Sequence, residues 1–368
     1  MTRIAYFASD LSEAATIRRV RVLRMGGADV RLLGFRRTPH PICEVDGVAA
    51  IDLGQTYDGK LAGRPIQIAQ VARKNWHDVI AGSDVVFGRN LEMATLADMA
   101  RIRSGVRCRL AYECLDIHAA FLGSGFKAKV LQQWERKLLQ RCSALITSSQ
   151  SYVDNYFSKL GVALPKIVLA ENKRVLANGT RQPVIGERQP PWRIGWFGGL
   201  RCIESFGTLL NLAEQLPKHV IVHLRGRIQN NAVQAMIEQH LPRPNMRYDG
   251  PYTEADLPTL YNGVDLTWAV EYFGKGGNSD WCLANRIYEG GYYNSPLIAQ
   301  AGTATGDWLE AHGSGVVLRD PPNEIARFLL GLTPETYDTL AHRAAHVPTD
   351  DLVWTEAGCR DFVCRLAA

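Results

Sequence analysis

The sequence is notable first for what it lacks. No run of about 18 apolar residues occurs, so no segment reads as a membrane-spanning helix. The eight cysteines form no C-x-x-C pair and the nine histidines no H-E-x-x-H, which disfavours zinc sites and thiol redox chemistry. The cysteines are expected as free, mostly buried thiols in a reducing cytoplasm. Neither half of the chain carries G-x-G-x-x-G after its first strand, which counts against a dehydrogenase. There is no P-loop, no G-x-S-x-G elbow and no D-x-D triplet. The opening MTRIAYFASD reads as a strand. Its apolar stretch is too short for a signal peptide and has no small-residue cleavage site.

The net charge is also small, +5 over 368 residues, but the charges are unevenly spread. Arg18, Arg19, Arg21 and Arg24 share one expected helix, and Arg101, Arg103, Arg107 and Arg109 form a second group. These are either ion-paired faces or contacts with an anionic partner such as a membrane surface or phosphates. No basic stretch interleaved with aromatics and no zinc-finger spacing is present, so nucleic acid is not an expected partner.

What is present is a repeated alternation of strand and helix, too long for one core. Strands are expected at 3–8, 28–35, 83–90, 108–118, 143–150 and 166–174, with helices over about 13–25, 92–103 and 126–142. Residues 176–192, rich in proline and glycine, read as a linker. The alternation then restarts with strands at 192–199, 219–226, 245–252, 265–270, 295–300 and 315–318. Helices are expected at 205–216, in the later part of 254–264, at 282–293 and at 324–332. The fold class is α/β, doubly wound, in two halves of about 1–175 and 193–350.

In open α/β sheets ligands bind beyond the carboxyl ends of strands. In the second half those ends are Gly198, Gly199 and Arg201, then Arg225, then the turn reaching Tyr252, then the loop EYFGKGGNSD with Lys275. That loop is expected to open directly into a helix whose N–H groups, with Lys275 and Arg201, suit a diphosphate. The same helix ends in Glu289-Gly290-Gly291, and its carboxylate is either a solvated helix residue or a ligand-binding group.

The motifs GWFGGLR (195–201), LRG (224–226), YDGPY (248–252), LYNGVDL (260–266) and YEGGYYNSP (288–296) occur in an order that resembles the donor half of GT-B glycosyltransferases. The likeness is to the family 4 type and its bacterial exopolysaccharide relatives, with a distant similarity to the xanthan-type glucuronosyltransferase. WERKLLQRCSALITSS (134–149) and DLVWTEAG (351–358) resemble the same family's acceptor half and its closing helix. The resemblance implies two Rossmann-like domains facing a central cleft, with the segment 351–368 crossing back to the first. It implies that Glu289 accepts hydrogen bonds from the donor's ribose and that Asn285 and Arg286 lie nearer its diphosphate. A glutamate common in the family eight positions earlier is replaced here by Trp281, with Asp280 beside it.

In the first half the strand ends offer Ser9 and Asp10, Arg89, and the cluster Glu113, Asp116 and His118. An inverting transfer needs a general base, for which Asp116 is the first candidate and Glu113 the second. In retaining relatives a histidine of this region touches the sugar, a role open to His118. Ser9, Asp10 and Arg89 are expected at the acceptor. With no D-x-D pair, Arg201, Lys275 and Arg286 are expected to stabilise the leaving diphosphate without a metal. The expected activity is transfer of a hexose or uronic acid from a UDP-sugar to a polyprenyl-diphosphate-linked saccharide. The nucleotide sugar acts as cosubstrate and there is no separate cofactor. The arginine-rich helix would lie on the anionic cytoplasmic face of the inner membrane, making the protein cytoplasmic and peripheral. A UDP-sugar 2-epimerase and a non-catalytic nucleotide-sugar-binding scaffold are the alternatives.

Overall fold

The computed structural model describes residues 1–57, 64–176, 181 and 188–368. Most of the linker expected at 176–192 falls outside the described residues. Met1–Val175 and Trp354–Ala368 form one unit, and Leu176–Val353 a second.

The first unit is built on a sheet with the spatial order Glu44–Val45, Val48–Gln55, Asp29–Arg36, Arg3–Ala8, Val85–Arg89, Arg109–Cys114, Ala144–Thr147, Lys166–Leu169. All neighbours are parallel except the first pair, a hairpin closed by Asp46-Gly47. Strands buried on both faces need continuous apolar runs, and Ile4 to Ala8 are all fully buried. The helix Ala14–Met25 places Val20 and Leu23 against Phe362 and Val363 of the last helix, Glu356–Ala367.

The second unit has the order Met246–Tyr248, Val220–Ile228, Trp192–Leu200, Leu266–Trp268, Leu297–Gln300, Gly315–Leu318, all parallel. Its chain order reverses between Trp192–Leu200 and Leu266–Trp268, which makes the crevice beyond their carboxyl ends the natural ligand position. Trp192, Trp196, Trp268 and Phe206 fill its core. Each fully buried side chain of this size contributes about 1.5–3 kcal/mol or more.

Several elements differ from expectation. The strand Val48–Gln55 and the helices Asn231–His240 and Ala304–His312 are additional. The loop after Trp268 does not open directly into the helix bearing Glu289. A single helical turn, Asn278–Trp281, intervenes, and the longer helix begins at Asn285. The eight cysteines are all unbonded. Among the described residues no helix is long and apolar enough to cross a membrane.

Candidate functional site

In the second unit, Gly198 and Gly226 pair in register at the ends of their strands. Both have positive φ (121° and 137°), and a Cβ on Gly226 would lie 1.7 Å from the Gly198 carbonyl oxygen. Only glycine permits these two strand ends to close up in this way. Gly199 instead packs on the Gln229 side chain. Arg225, on the neighbouring strand, donates to the carbonyls of Gly250 (3.0 Å) and Pro251 (2.7 Å). It therefore holds the turn that presents Tyr252.

Glu289 lies on the helix Asn285–Tyr292 and is half-buried. Its Oε2 accepts from the Tyr261 hydroxyl at 3.1 Å and the Tyr252 hydroxyl at 3.4 Å. Among the described residues Oε1 receives no hydrogen bond. Burial, then the adjacent Glu289 charge, push the Tyr261 phenol well above its ordinary range, so it remains a donor. Tyr261 stacks on Tyr293 (5.6 Å) and meets Phe197 edge-on (5.2 Å). Gly290 and Gly291 let the helix seat closely. A Cβ on the first would come within 3.2 Å of the Tyr261 ring and one on the second within 2.9 Å of Leu352. The glycines after Glu289 are thus packing glycines, and the carboxylate is a fixed acceptor.

Arg286 precedes Glu289 by three residues, on the same helical face. Its Nη2 lies 3.9 Å from Glu271, and Arg201 Nε lies 3.7 Å from the same carboxylate oxygen. Arg201 and Glu271 follow the two strands that flank the point of reversal. Arg201 Nε and Arg286 Nη1 are buried without a hydrogen-bond partner. Lys275 is exposed, with its amine 5.7 Å above the Tyr272 ring. Asn285 is exposed at the start of the helix, and the preceding Ala284 offers no capping side chain. Asp280, beside the position of the missing family glutamate, accepts the Gly276 N–H at 2.7 Å and so serves the loop.

The sequence reading missed Tyr261 and Glu271. Tyr261 lies four residues after the buried Leu257, so it had to point inward, where its hydroxyl needed an acceptor. Glu271 opens the loop that was singled out for Lys275.

The first unit requires corrections. Glu113 is fully buried between two buried arginines, with Arg19 Nε 2.7 Å from Oε1 and Arg89 Nε 2.7 Å from Oε2. Burial opposes its ionisation, but the Arg19 and Arg89 charges outweigh this and hold its carboxyl below the ordinary value. A carboxylate with no accessible surface cannot meet an acceptor hydroxyl, so the placement does not fit the second candidate base. Arg89 is likewise committed. It donates also to the Ala15 carbonyl at 3.0 Å, rather than facing an acceptor pyrophosphate. Ser9 and Asp10 are buried, and Asp10 accepts from the Ser12 N–H (2.9 Å) and hydroxyl (2.6 Å). That turn explains Asp10 without a ligand.

The arginine-rich helix also departs from the membrane expectation. Arg19 is buried, Arg21 and Arg24 pair with Asp46, and Arg18 donates to the Asn172 carbonyl at 3.0 Å. Its guanidinium groups knit the unit together rather than forming a free basic face.

Asp116 and His118, by contrast, are exposed beyond the strand Arg109–Cys114. His118 caps the turn Ala119–Leu122, its Nδ1 accepting from the Ala120 N–H at 3.1 Å. This bond uses the Nδ1 lone pair and leaves the ring proton on Nε2. Among the described residues no group of three or more His, Cys, Asp or Glu is placed to hold a metal ion.

No family model matches the chain. It is 36% identical to the succinoglycan biosynthesis protein ExoL of Rhizobium meliloti, across 100% of this chain and 94% of that protein. Among solved structures, sucrose-phosphate synthase from Thermosynechococcus elongatus has a TM-score of 0.72 at 14% identity, covering 98% of this chain and 97% of its own. Anabaena HepE, solved in complex with UDP and glucose, has a TM-score of 0.70 at 16% identity, covering 99% and 98%. At such identities these two establish the fold alone. The chain has the GT-B fold and belongs to the family of the succinoglycan biosynthesis protein ExoL.

Proposed function

We propose that this protein is a glycosyltransferase that moves a hexose or uronic acid from a UDP-sugar to a polyprenyl-diphosphate-linked saccharide during exopolysaccharide assembly. The observation that carries the reading is the pair of arginines, Arg201 and Arg286, that converge on the single Glu271 carboxylate (3.7 and 3.9 Å) beyond the two strands flanking the reversal. Two guanidinium groups sharing one carboxylate leave positive charge over, which a pyrophosphate would neutralise through their accessible N–H groups. Glu289, three residues from Arg286, has Oε1 available for the hydroxyls of a ribose. One nucleoside diphosphate answers both needs.

In the proposed reaction the acceptor oxygen attacks the sugar's anomeric carbon as the bond to the β-phosphate oxygen breaks. The acceptor proton passes to Asp116. The electron pair leaves with UDP, whose growing charge is stabilised by Arg201, Arg286 and Lys275. Single displacement inverts the anomeric centre. Support for the donor comes from HepE, which was also solved with UDP-glucose. Support for the pathway comes from ExoL, a succinoglycan biosynthesis protein. The same relative leaves the 2-epimerase alternative with less support.

Glu289→Gln tests the nucleotide site. Glutamine still offers Tyr261 an acceptor but no charge to the ribose, so UDP affinity measured by calorimetry should fall about 10- to 100-fold. Affinity equal to that of the unaltered protein would contradict the assignment.

A further inference from the structure

The helix Phe126–Leu139 carries two apolar stripes where one would suffice. The inner stripe, with Ala128, Leu138 and Leu139, is buried. The outer stripe, Phe126, Val130 and Trp134, repeats every four residues and is 83%, 50% and 37% exposed. Leu122, on the preceding turn, extends it at 37% exposure. That turn is fixed. Gln132 donates to the Phe121 carbonyl at 2.7 Å, and the Phe121 ring rests edge-on against Tyr156. The Trp134 indole is tethered to the Thr95 hydroxyl at 2.9 Å. The apolar surface is thus a held feature of the folded unit.

Its charge is one-sided. Lys127, Lys129 and Lys137 border the stripe and are exposed, and residues 117–134 contain no Asp or Glu. Glu135, which follows, is buried and accepts from Tyr112 (2.7 Å) and Tyr156 (2.5 Å). The surface begins directly after Asp116 and His118.

We propose that this surface, from Leu122 to Trp134, docks the protein on an anionic phospholipid bilayer. Phe126, Val130 and Leu122 enter the interfacial layer, Trp134 sits at headgroup level, and the lysines meet lipid phosphates. An apolar stripe bordered by three exposed lysines matches that interface, where insertion and electrostatic attraction act together. A soluble protein partner gives no reason for the absence of carboxylates from residues 117–134. The inference deepens the lipid-linked acceptor reading, since docking here would bring Asp116 to the level of lipid headgroups. It concerns a different face from the arginine-rich helix.

The test is co-sedimentation of the full chain with vesicles of phosphatidylethanolamine containing phosphatidylglycerol, against vesicles of phosphatidylcholine alone. Binding is expected only to the anionic vesicles and should weaken as salt is raised. Lys127→Glu with Lys129→Glu should lower the partition coefficient by about fivefold or more per lysine. Phe126→Ser with Val130→Ser should lower it by at least about tenfold. Both double variants alter exposed residues and should keep the unaltered protein's UDP affinity, so loss of vesicle binding is separable from loss of the nucleotide site. Equal binding by the variants, or binding to phosphatidylcholine alone, would overturn the proposal. So would a concentration-dependent dimer that the Phe126→Ser, Val130→Ser variant dissolves, because the stripe would then be a contact between copies.

Discussion

Asp116→Asn is expected to lower kcat by about 10²- to 10⁴-fold while leaving UDP affinity unchanged. The expectation rests on what surrounds the three ionisable groups after the strand Arg109–Cys114. Glu113 is enclosed by Arg19 and Arg89 and meets no solvent. His118 spends its Nδ1 lone pair on the Ala120 N–H, so that nitrogen is committed to the cap. Asp116 is the exposed carboxylate of the three. Asparagine preserves its shape and removes its basicity. The effect should therefore fall on kcat, with donor KM little changed. Stopped assays with UDP release and product isolation would separate the two parameters. Activity retained at the level of the unaltered protein, with retained anomeric configuration in the product, would mean that no base from this strand end takes part.

The second large effect concerns stability. Glu113→Gln should reduce the free energy of unfolding by about 3–5 kcal/mol, because it leaves buried Arg19 without its counter-charge and buried Arg89 with only Glu13, at 3.5 Å. The loss should be visible as a lower midpoint in urea with little change in slope. Arg19 also donates to the Ala170 carbonyl at 3.1 Å and lies over the Phe362 ring at 4.8 Å. The carboxylate therefore organises the first helix, two strands and the last helix together. Its pH dependence follows in sign. The folded carboxyl lies below its ordinary value, so the unfolded chain binds the proton more readily. The stabilisation is fully present above the unfolded value of about 4.3 and is lost as pH falls below it. Glu113→Gln should remove that part of the acid slope. A loss below about 1 kcal/mol, the range of exposed ion pairs, would show that the carboxylate is screened by water.

The strands were readable because buried parallel strands impose continuous apolar runs, as in RIAYFA and LITS. Positions next to a sheet edge are less constrained, and Val48–Gln55, paired on one side only at its first two residues and only partly buried, gave no such signal. The helix Ala304–His312 carries glycine and threonine in its first turns and has weak periodicity. The start of the Glu289 helix was misplaced by three residues because Cys282 and Leu283 are apolar enough to continue it. For the site, searching strand ends located Gly198, Arg201 and the loop with Lys275. It could not separate exposed ionisable residues from paired ones. Nothing in the spacing of Arg18, Arg19, Arg21 and Arg24 marks Arg19 as the one that reaches Glu113. The contact between Tyr261 and Glu289 also depends on how two helices approach. Tertiary pairings of this kind decide which candidates remain available for chemistry.

The central claim is that Arg201 and Arg286 hold a pyrophosphate while Glu289 holds the attached ribose. Crystals of the full chain grown with UDP test it most directly. The expected result is density for the diphosphate within hydrogen-bond distance of the Arg201 and Arg286 guanidinium groups, with ribose hydroxyls on Glu289 Oε1. Density for UDP on any other surface, or an empty site at saturating UDP with both guanidinium groups still paired only with Glu271, would contradict it.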